Sequence, residues 1–380
     1  MRILFICPYS WEYGGPPKVV FDLSEVFLQS DTNTVAIASV CLKNQKTYTL
    51  ADKVDLHEFK GSFLSKIWPY FSFKLFFWLL KNAKKYDVIH VHGIWHFPSF
   101  VPFVIKSKAK KVLSVHGMLE PWGLQKGAFK KKLFSFLFQK RILKNCDVIH
   151  VLKTSEKNDV EQFLGAGSMK SIKVIPNGLK INEFSLNTIQ SGVFREKYQL
   201  QSSPFVLFLG RINEKKGIRL LLSAFLRISK QNKFVKLVIA GPDDGFLSEM
   251  MQFINQNNLN ERIIYTGMLS GNLKEAVLSD ANVFVLPSYS EGFSIAALEA
   301  LYAGVPCCFS DNIGFSEVVS KEKAGIIAQM NEVDLSDKLL WMLENENACK
   351  AMAKRGVELV KDYYDIEIIG ERFLDEYSQI

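Results

Sequence analysis

Short apolar runs rich in β-branched residues alternate with longer segments of helical pattern along most of this chain of 380 residues. Such alternation is typical of parallel strands joined by crossover helices. One run opens the chain at MRILFI, and the others fall at residues 35–40, 88–91, 111–115, 148–152 and 172–175, and again at 205–209, 236–240, 263–265, 283–286 and 307–309. A chain of this length is about right for two domains. The pattern therefore predicts two doubly wound α/β domains.

The division between the two domains is marked by a turn signal and a loss of pattern. Pro176-Asn177-Gly178 predicts a turn, and the polar stretch 186–203 is the best linker candidate. We therefore predict one domain over residues 1–185 and a second over 186–360. The tail 361–380 predicts a C-terminal helix, with a return to the first domain as one possibility, although Gly370 argues against one unbroken helix.

Neither an export signal nor a membrane-spanning helix is predicted. The opening apolar run is too short for a signal peptide and stops at Pro8. The most apolar stretch, 63–80, is interrupted by Lys66, Pro69 and Lys74, whereas a spanning helix needs about 20 mostly apolar residues. The six cysteines include no C-x-x-C pair, so we expect reduced thiols in a cytoplasmic protein.

The positive charge of the chain is concentrated in its first half. Residues 1–185 hold 27 Lys and Arg against 14 Asp and Glu, whereas residues 186–380 hold 20 against 25. A one-sided charge favours an anionic partner of the first half, and the alternative is a basic face that is merely solvated. No helix-turn-helix, zinc-finger or RNP-like signature accompanies the charge, so no nucleic-acid partner is expected.

The most informative segment is VFVLPSYSEGFSIAALEALYAGVPCCFSD, residues 283–311. A buried strand, a polar loop and a helix capped by Ser294 follow one another there. The free backbone N–H groups near Phe293 and Ser294, together with the helix dipole, can hold a phosphate. Glu291 lies in the loop and Glu299 on the helix, so both carboxylates can reach hydroxyls beside a bound diphosphate. The alternative is a solvated loop charge and a solvated helix charge.

The E-x7-E spacing within EGFSIAALEALYAGVP resembles the retaining glycosyltransferases of glycosyltransferase family 4. GGPPKVV, HGM, IPNG and GRINEKKG stand at plausible places for that family, and the resemblance covers nearly the whole chain. It implies the GT-B fold, in which two Rossmann-like domains, an N-terminal acceptor-side domain and a C-terminal domain that binds the nucleotide-sugar donor, face a central cleft. It also implies retention at the anomeric carbon.

The family pattern implies roles for residues of the second domain. Glu299 would bind the ribose hydroxyls of the donor nucleotide, Glu291 would act on the donor sugar as a catalytic residue, and Phe293 and Ser294 would offer backbone N–H groups. Arg211 and Lys216 match the basic pair that holds the donor diphosphate. The residues themselves agree, because Arg211 follows a predicted strand at the edge where ligands collect in open α/β sheets. The alternative is two surface cations.

In the first domain, Gly14 and Gly15 follow the first strand, and their missing side chains would let a donor approach the backbone closely. His116 follows the run 111–115. The resemblance implies that His116 is catalytic and faces the donor sugar and the acceptor, whereas a buried structural histidine is the alternative. Glu12 is a conceivable acceptor-side base and is not assigned. His90, His92, His96 and His150 lack a ligand spacing for a metal and stay unassigned.

No D-x-D triplet occurs in the chain. We therefore predict metal-independent transfer without a cofactor, in which Arg211 and Lys216 supply the positive charge. The predicted function is transfer of a hexose-type sugar from a nucleotide-diphosphate donor to a polysaccharide or lipid-linked oligosaccharide acceptor. The alternative is a non-catalytic basic α/β protein that binds an anionic membrane or nucleic acid.

The segments 63–80 and 129–143 interleave Phe, Leu and Trp68 with lysines and Arg141. Such segments can lie in a membrane interface without spanning it. Alternatively, Leu133, Phe134, Leu137 and Phe138 have helical spacing and simply cover the sheet. Lipid-diphosphate acceptors are used by members of the family that build surface polysaccharides. We therefore predict a cytoplasmic enzyme that is attached peripherally to the inner face of the cell membrane.

Overall fold

The computed structural model describes residues 1–7, 15–42, 53–121, 138–165, 171–184 and 192–380. The chain forms two compact units. The first unit contains Met1–Gly178 and Ile366–Ile380, and the second contains Leu179–Asp365. The sequence pattern predicts these divisions at 185/186 and 360/361. The structure places them where Leu179 and Asp365 form a parallel bridge and the Leu179 amide donates to the Tyr364 carbonyl at 2.7 Å, which ties the two ends of the second unit together.

The first unit is built on a seven-stranded parallel sheet in the order β3-β2-β1-β4-β5-β6-β7. Its strands are β1 (Arg2–Ile6), β2 (Thr34–Cys41), β3 (Asp55–Lys60), β4 (Val88–His92), β5 (Lys110–Ser114), β6 (Val148–Val151) and β7 (Ser171–Val174). The α-helices described before the second unit are α1 (Gly15–Phe27), α2 (Phe73–Asn82), α3 (Phe97–Val104), α4 (Lys140–Asn145) and α5 (Thr154–Leu164). Alternate residues of β1 enter two apolar clusters on opposite faces of the sheet, so both faces are buried.

The second unit is built on a six-stranded parallel sheet in the order β10-β9-β8-β11-β12-β13. Its strands are β8 (Phe205–Leu209), β9 (Lys236–Ala240), β10 (Ile263–Gly267), β11 (Val283–Leu286), β12 (Cys307–Ser310) and β13 (Ile326–Ala328). Its helices are α6 (Val193–Lys197), α7 (Ile218–Gln231), α8 (Leu247–Gln256), α9 (Asn272–Asp280), α10 (Ile295–Tyr302), α11 (Ser316–Lys321), α12 (Glu332–Glu344) and α13 (Glu346–Tyr363). The prediction of two doubly wound domains is confirmed.

Two strands were not predicted, and both lie at sheet edges. β3 has the sequence DLHEFK and is only partly buried, so it lacks the continuous apolar run of a central strand. β13 contains three residues and is too short to give a pattern. In both cases pairing with a neighbouring strand, rather than local sequence, defines the strand.

The interpretation of residues 186–203 as a linker is wrong for its described part. Helix α6 begins at Val193 and buries Phe194 completely in the core of the second unit. The Asp280 carboxylate, which ends α9, accepts hydrogen bonds from the amides of Gly192, Phe194 and Arg195 at 2.7–3.2 Å. A distant acid therefore caps a helix whose own sequence is too short and polar to predict it.

The last helix, α14 (Ile366–Gln379), belongs to the first unit and packs on α1. It is unbroken at Gly370, contrary to the doubt raised by that residue. A Cβ at position 370 would lie 2.5 Å from Cγ1 of Val26 on α1. Gly370 therefore permits close contact between the two helices and does not break α14.

A buried relay of hydrogen-bonded side chains, formed by Tyr377, His90, Ser114 and His150, joins α14 to the sheet. Tyr377 Oη lies 2.5 Å from His90 Nδ1, His90 Nε2 lies 2.6 Å from Ser114 Oγ, and Ser114 Oγ lies 2.6 Å from His150 Nδ1. His150 Nε2 lies 2.7 Å from the Ile175 carbonyl oxygen. Burial lowers the pKa of His90 well below its usual value and that of His150 to about 4, so both rings are neutral.

The direction of every hydrogen bond in this relay follows from its last acceptor, the Ile175 carbonyl oxygen. Because a carbonyl only accepts, His150 Nε2 donates to Ile175, and His150 Nδ1 accepts from Ser114. The Ser114 oxygen then accepts from His90 Nε2, and His90 Nδ1 accepts from Tyr377. Each polar group of this relay is satisfied, as the low-polarity interior requires.

The six cysteines are free thiols, and all but Cys41 are buried. Among the described residues, none of the helices combines the length and the apolar character that crossing a bilayer requires.

We expect Tyr377→Phe to destabilise the first unit by about 1–3 kcal/mol, because it leaves the buried His90 Nδ1 without a donor. Urea unfolding measures the change. Tyr363→Phe is the matched control, since Tyr363 is exposed near the end of α13. Equal stability of the two variants would contradict the relay.

Candidate functional site

The candidate site of the second unit lies where the strand order reverses. β8 pairs with β9 on one side and with β11 on the other. The connections that leave β8 and β11 run to opposite sides, so a crevice opens at their carboxyl ends. Arg211 and Lys216 follow β8, whereas Glu291 and Ser294 follow β11. The structure therefore brings these four predicted site residues to the same edge of one sheet.

The loop after β8 is fixed by a cap and by a glycine. Asn213 caps a short 3-10 helix, Glu214–Lys216, by accepting from the Lys216 amide at 3.1 Å. Gly217 follows with φ +72°, and a Cβ there would lie 1.8 Å from the Pro287 carbonyl oxygen. The Tyr289 amide donates to the Lys215 carbonyl at 2.9 Å. The two loops are therefore in direct backbone contact, which sets the position of Lys216.

Lys216 and Glu291 form an ion pair between these loops. The Lys216 Nζ donates to Glu291 Oε2, and the two side chains are only 12% and 14% exposed. A partly buried ammonium or carboxylate without a partner would be costly, so each charge holds the other in the site. Lys216, which is predicted to bind the donor diphosphate, and Glu291, which is the predicted catalytic carboxylate, are therefore neighbours.

The N-terminus of α10 is formed as predicted. Ser294 is its N-cap and accepts from the Ala297 amide at 3.3 Å. The Phe293 ring packs on Phe315 and Tyr364, with ring centroids 5.3 and 5.6 Å apart. These contacts anchor the entry to the helix, so its positive end lies at the carboxyl edge of β11.

Glu299 has a partner that the sequence did not reveal. On α10, Glu299 Oε1 accepts from Lys274 Nζ of α9 at 2.7 Å, and the carboxylate is buried. Lys274 lies 25 residues before Glu299, and no local pattern relates the two. Lys274 thus orients the Glu299 carboxylate and places a positive charge beside this predicted ribose-binding residue.

Arg211 pairs with a carboxylate from the loop after β9. Its Nη1 donates to Asp244 Oδ2 at 2.9 Å, and Asn213 Nδ2 donates to the same oxygen at 2.7 Å. The guanidinium is 60% exposed, and an exposed ion pair of this kind is weak. Arg211 can therefore exchange Asp244 for an incoming anion.

In the first unit, His116 lies just after β5 in a left-handed turn. His116 has φ +55° and Gly117 has φ +71°, an unusual conformation for a residue with a side chain. His116 Nε2 lies 2.9 Å from His92 Nδ1, and the planes of the two rings differ by 27°. Burial and the nearby His150 lower the pKa of His116 to about 3, so the ring is neutral near pH 7.

A buried glutamate that the sequence analysis missed holds this turn. Glu156, on α5, accepts from the Gly117 amide with Oε1 and from the Leu152 amide with Oε2 at 2.7 Å. Burial raises the pKa of Glu156 to about 7. Beside it, Glu120 pairs with Lys153 at 2.8 Å. The Glu156 carboxylate thus links the loops that follow β5 and β6.

Gly15 begins α1, and no described atom lies within 4 Å of the position that a Cβ would occupy. Gly14 and the unassigned Glu12 lie outside the described residues. Of the residues that the structure does describe, no group of three or more His, Cys, Asp and Glu side chains can hold a metal ion. Independence of metal and cofactor stays a prediction.

Residues 13–183 match the family model described as Glycosyltransferase Family 4, and residues 192–358 match the model described as Glycosyl transferases group 1. The two matches adjoin and together span most of the chain. Each match falls almost wholly within one of the two units.

Curated relatives and solved structures align over nearly the full length. N,N'-diacetylbacillosaminyl-diphospho-undecaprenol alpha-1,3-N-acetylgalactosaminyltransferase of Campylobacter jejuni is 26% identical over 345 residues, covering 88% of this chain and 88% of that protein. Phosphatidyl-myo-inositol mannosyltransferase of Mycobacterium leprae is 25% identical, covering 100% and 97%. Sucrose-phosphate synthase from Thermosynechococcus elongatus superposes with a TM-score of 0.83 at 21% identity, covering 100% and 98%.

We expect Gly217→Ala to destabilise the second unit by about 2 kcal/mol or more, because the new Cβ would collide with the Pro287 carbonyl in addition to straining a left-handed residue. Gly271→Ala is the control, since Gly271 also has a positive φ but has no atom within 4 Å of a Cβ. Urea unfolding compares the two variants. Similar losses in both would show that the backbone contact does not matter.

Proposed function

Because the chain belongs to glycosyltransferase family 4 and has its GT-B fold, we propose that this glycosyltransferase moves a hexose-type sugar from a nucleoside-diphosphate donor to a lipid-linked or polysaccharide acceptor. The transfer retains the configuration at the anomeric carbon. Membership of an enzyme family argues against the alternative of a non-catalytic basic protein.

The observation that carries the proposal is the cationic edge at the reversal of strand order in the second unit. Lys216, Arg211 and the N-terminus of α10 all lie there. A departing nucleoside diphosphate gains negative charge as its bond to the anomeric carbon breaks, and fixed cations and dipoles stabilise that charge. The diphosphate would take the place of Asp244 beside Arg211 and would share Lys216 with Glu291.

The carboxylates have separate proposed roles. Glu299, oriented by Lys274, accepts hydrogen bonds from the ribose hydroxyls. Glu291, beside Lys216, binds the donor sugar. His116 of the first unit faces the donor sugar and the acceptor. The acceptor hydroxyl attacks on the face from which the diphosphate departs, and its proton passes to the departing diphosphate oxygen.

We propose that transfer needs no metal ion. Arg211, Lys216 and the N-terminus of α10 supply positive charge to the diphosphate. In other enzymes a bridging divalent ion supplies this charge. The missing D-x-D triplet supports this proposal.

The acceptor is proposed from the relatives. The names of the Campylobacter jejuni and Mycobacterium leprae proteins each specify a lipid acceptor with phosphate in its headgroup, a diphospho-undecaprenol and a phosphatidyl-inositol. The basic first half of this chain, with 27 Lys and Arg against 14 Asp and Glu, fits an anionic acceptor of that class.

We expect Lys216→Gln and Glu299→Gln each to lower donor turnover about 100-fold or more, since each removes one charged contact to the donor. Turnover of nucleotide sugars is followed by mass spectrometry, with and without a chelator. Nucleoside diphosphates should raise the melting temperature of the wild type and should do so less in both variants.

Two surface changes serve as controls for these variants. Lys230→Gln and Glu249→Gln alter exposed residues of α7 and α8 and should leave turnover unchanged. Wild-type turnover in folded Lys216→Gln or Glu299→Gln would remove that residue from the site. Loss of activity in the chelator, restored by a divalent ion, would overturn the metal-independent proposal.

We propose that the enzyme attaches peripherally to the cytoplasmic face of an anionic membrane through residues 63–85. This stretch exposes Phe63 and Ile67 to 80% and 83%, and it also exposes an apolar stripe on α2 formed by Phe73, Phe77 and Leu80. The lysines at positions 66, 74, 81, 84 and 85 are exposed beside it. Exposed apolar groups interleaved with cations are typical of an interfacial surface.

Helix α2 is apolar on two opposite sides. Leu75 and Leu79 are buried in the first unit, and at 100° per residue the stripe of Phe73, Phe77 and Leu80 points the other way. The buried side packs on the sheet, whereas the second stripe is about half exposed and contacts the first unit through Phe73, whose ring lies 4.8 Å from that of Phe71. In the segment 129–143, Phe138 packs on Trp68 and Phe100, and residues 129–137 lie outside the described residues.

We expect the wild type to co-sediment with anionic vesicles at low salt and to be released at high salt, since each basic residue near an anionic surface contributes about 1 kcal/mol. Replacing Phe73, Phe77 and Leu80 together by Ser should weaken binding. Phe234→Ser is the matched control, because Phe234 is 75% exposed in the second unit. Equal binding to neutral and anionic vesicles, or none to either, would contradict the proposed surface.

A further inference from the structure

Unlike His90 and His150, His92 of the first unit has a buried ring nitrogen without a hydrogen-bond partner among the described residues. Both nitrogens of His90 and of His150 are hydrogen bonded in the relay. His92 is 1% exposed, its Nδ1 lies 2.9 Å from His116 Nε2, and its Nε2 has no hydrogen-bond partner among the described residues. The burial of this nitrogen restricts which tautomer the ring can adopt.

The direction of the His92–His116 hydrogen bond follows from that restriction. Burial lowers the pKa of His92 well below its usual value, so the ring is neutral. If its Nδ1 accepted the bond, the ring would carry its proton on Nε2, as a buried N–H without an acceptor among the described residues. Orphaned buried N–H groups are rarer than unfilled acceptors. His92 Nδ1 therefore donates, and His116 Nε2 accepts. Because His116 is neutral as well, its own proton resides on Nδ1.

We propose that His92 is a positioning residue that holds His116 as the Nδ1–H tautomer, so that His116 offers the reacting sugars a hydrogen-bond donor and not a general base. This inference deepens the role of His116 and rests on the proposed function. The donor nitrogen forms no hydrogen bond to the part of the chain that the structure describes, so it is available to a sugar oxygen.

The surroundings of His116 fix the direction of that donor as well as its tautomer. Glu156 holds the amide of Gly117, and the hydrogen bond to His92 holds the ring of His116 nearly in the plane of the His92 ring, with 27° between the two planes. The backbone and the ring are thus fixed by separate contacts. A hydrogen-bond donor that is already oriented needs no rearrangement as charge develops on the sugar oxygens.

Nitrogen-15 NMR of the full chain with labelled histidine tests the tautomer directly, because protonated and unprotonated ring nitrogens resonate far apart. The His116 signals, assigned with His116→Asn, should show Nδ1 protonated. In His92→Phe, which keeps a ring but removes the donor, they should move toward the Nε2–H form. His57→Phe, on the edge strand β3 of the same sheet, should change nothing. Protonation of His116 on Nε2 in the wild type, or no change in His92→Phe, would overturn the proposal.

A double-mutant cycle separates positioning from a merely structural effect. His92→Phe should lower kcat about tenfold, with less change in the KM of the donor. His116→Asn keeps a donor near the Nδ1 position and should retain at least tenfold more activity than His116→Gln. In the His116→Asn background, where no tautomer exists, His92→Phe should have no further effect. The same tenfold loss in that background would show that His92 only supports the fold.

The two kinds of measurement distinguish this inference from the proposed function. If no nucleotide sugar is consumed but the tautomer responds to His92→Phe, the function fails and the His92–His116 coupling stands. If transfer occurs and the tautomer does not respond, the function stands and the inference fails.

Discussion

The parallel pairing of β8 with β9 on one side and β11 on the other is the constraint on which the second unit's site depends. It brings the ends of two strands that are distant in sequence to one edge, where their loops must share a narrow space. Two glycines make this possible, because a Cβ at Gly217 or Gly241 would lie 1.8 Å from a carbonyl oxygen of a neighbouring loop. The functional charges are positioned by backbone contact before any ligand binds.

Three cations at this edge are each paired with a carboxylate. Lys216 pairs with Glu291, Arg211 with Asp244, and Lys274 with Glu299. The Lys216–Glu291 and Lys274–Glu299 pairs hold partly buried charges that would be costly alone, whereas the exposed Arg211–Asp244 pair is weak. An incoming anion therefore binds to side chains that are already ordered. Its net binding free energy is the difference between its own contacts and those of the carboxylates that it replaces.

Features fixed by neighbouring residues could be predicted from the sequence, and features fixed by distant ones could not. The central strands and the Ser294 cap follow from local apolar runs and a local side chain. α6 depends on Asp280, the orientation of Glu299 depends on Lys274, and the turn at His116 depends on Glu156. None of these partners is close in sequence to the group that it orders. Gly370 is a further case, because it is required by the close contact of α14 with Val26 on another helix and not by the sequence around it.

Helix α14 follows the whole second unit along the chain, yet its side chains belong to the core of the first. Ile366, Ile369 and Phe373 enter that core, and Tyr377 supplies the first proton of the buried relay. As the polypeptide leaves the ribosome, residues 1–178 must therefore wait, with part of their apolar surface uncovered, while the second unit is synthesised. Of the two units, the one that is synthesised first is thus the later to be completed, and its uncovered apolar surface is open to aggregation or chaperone binding during this interval.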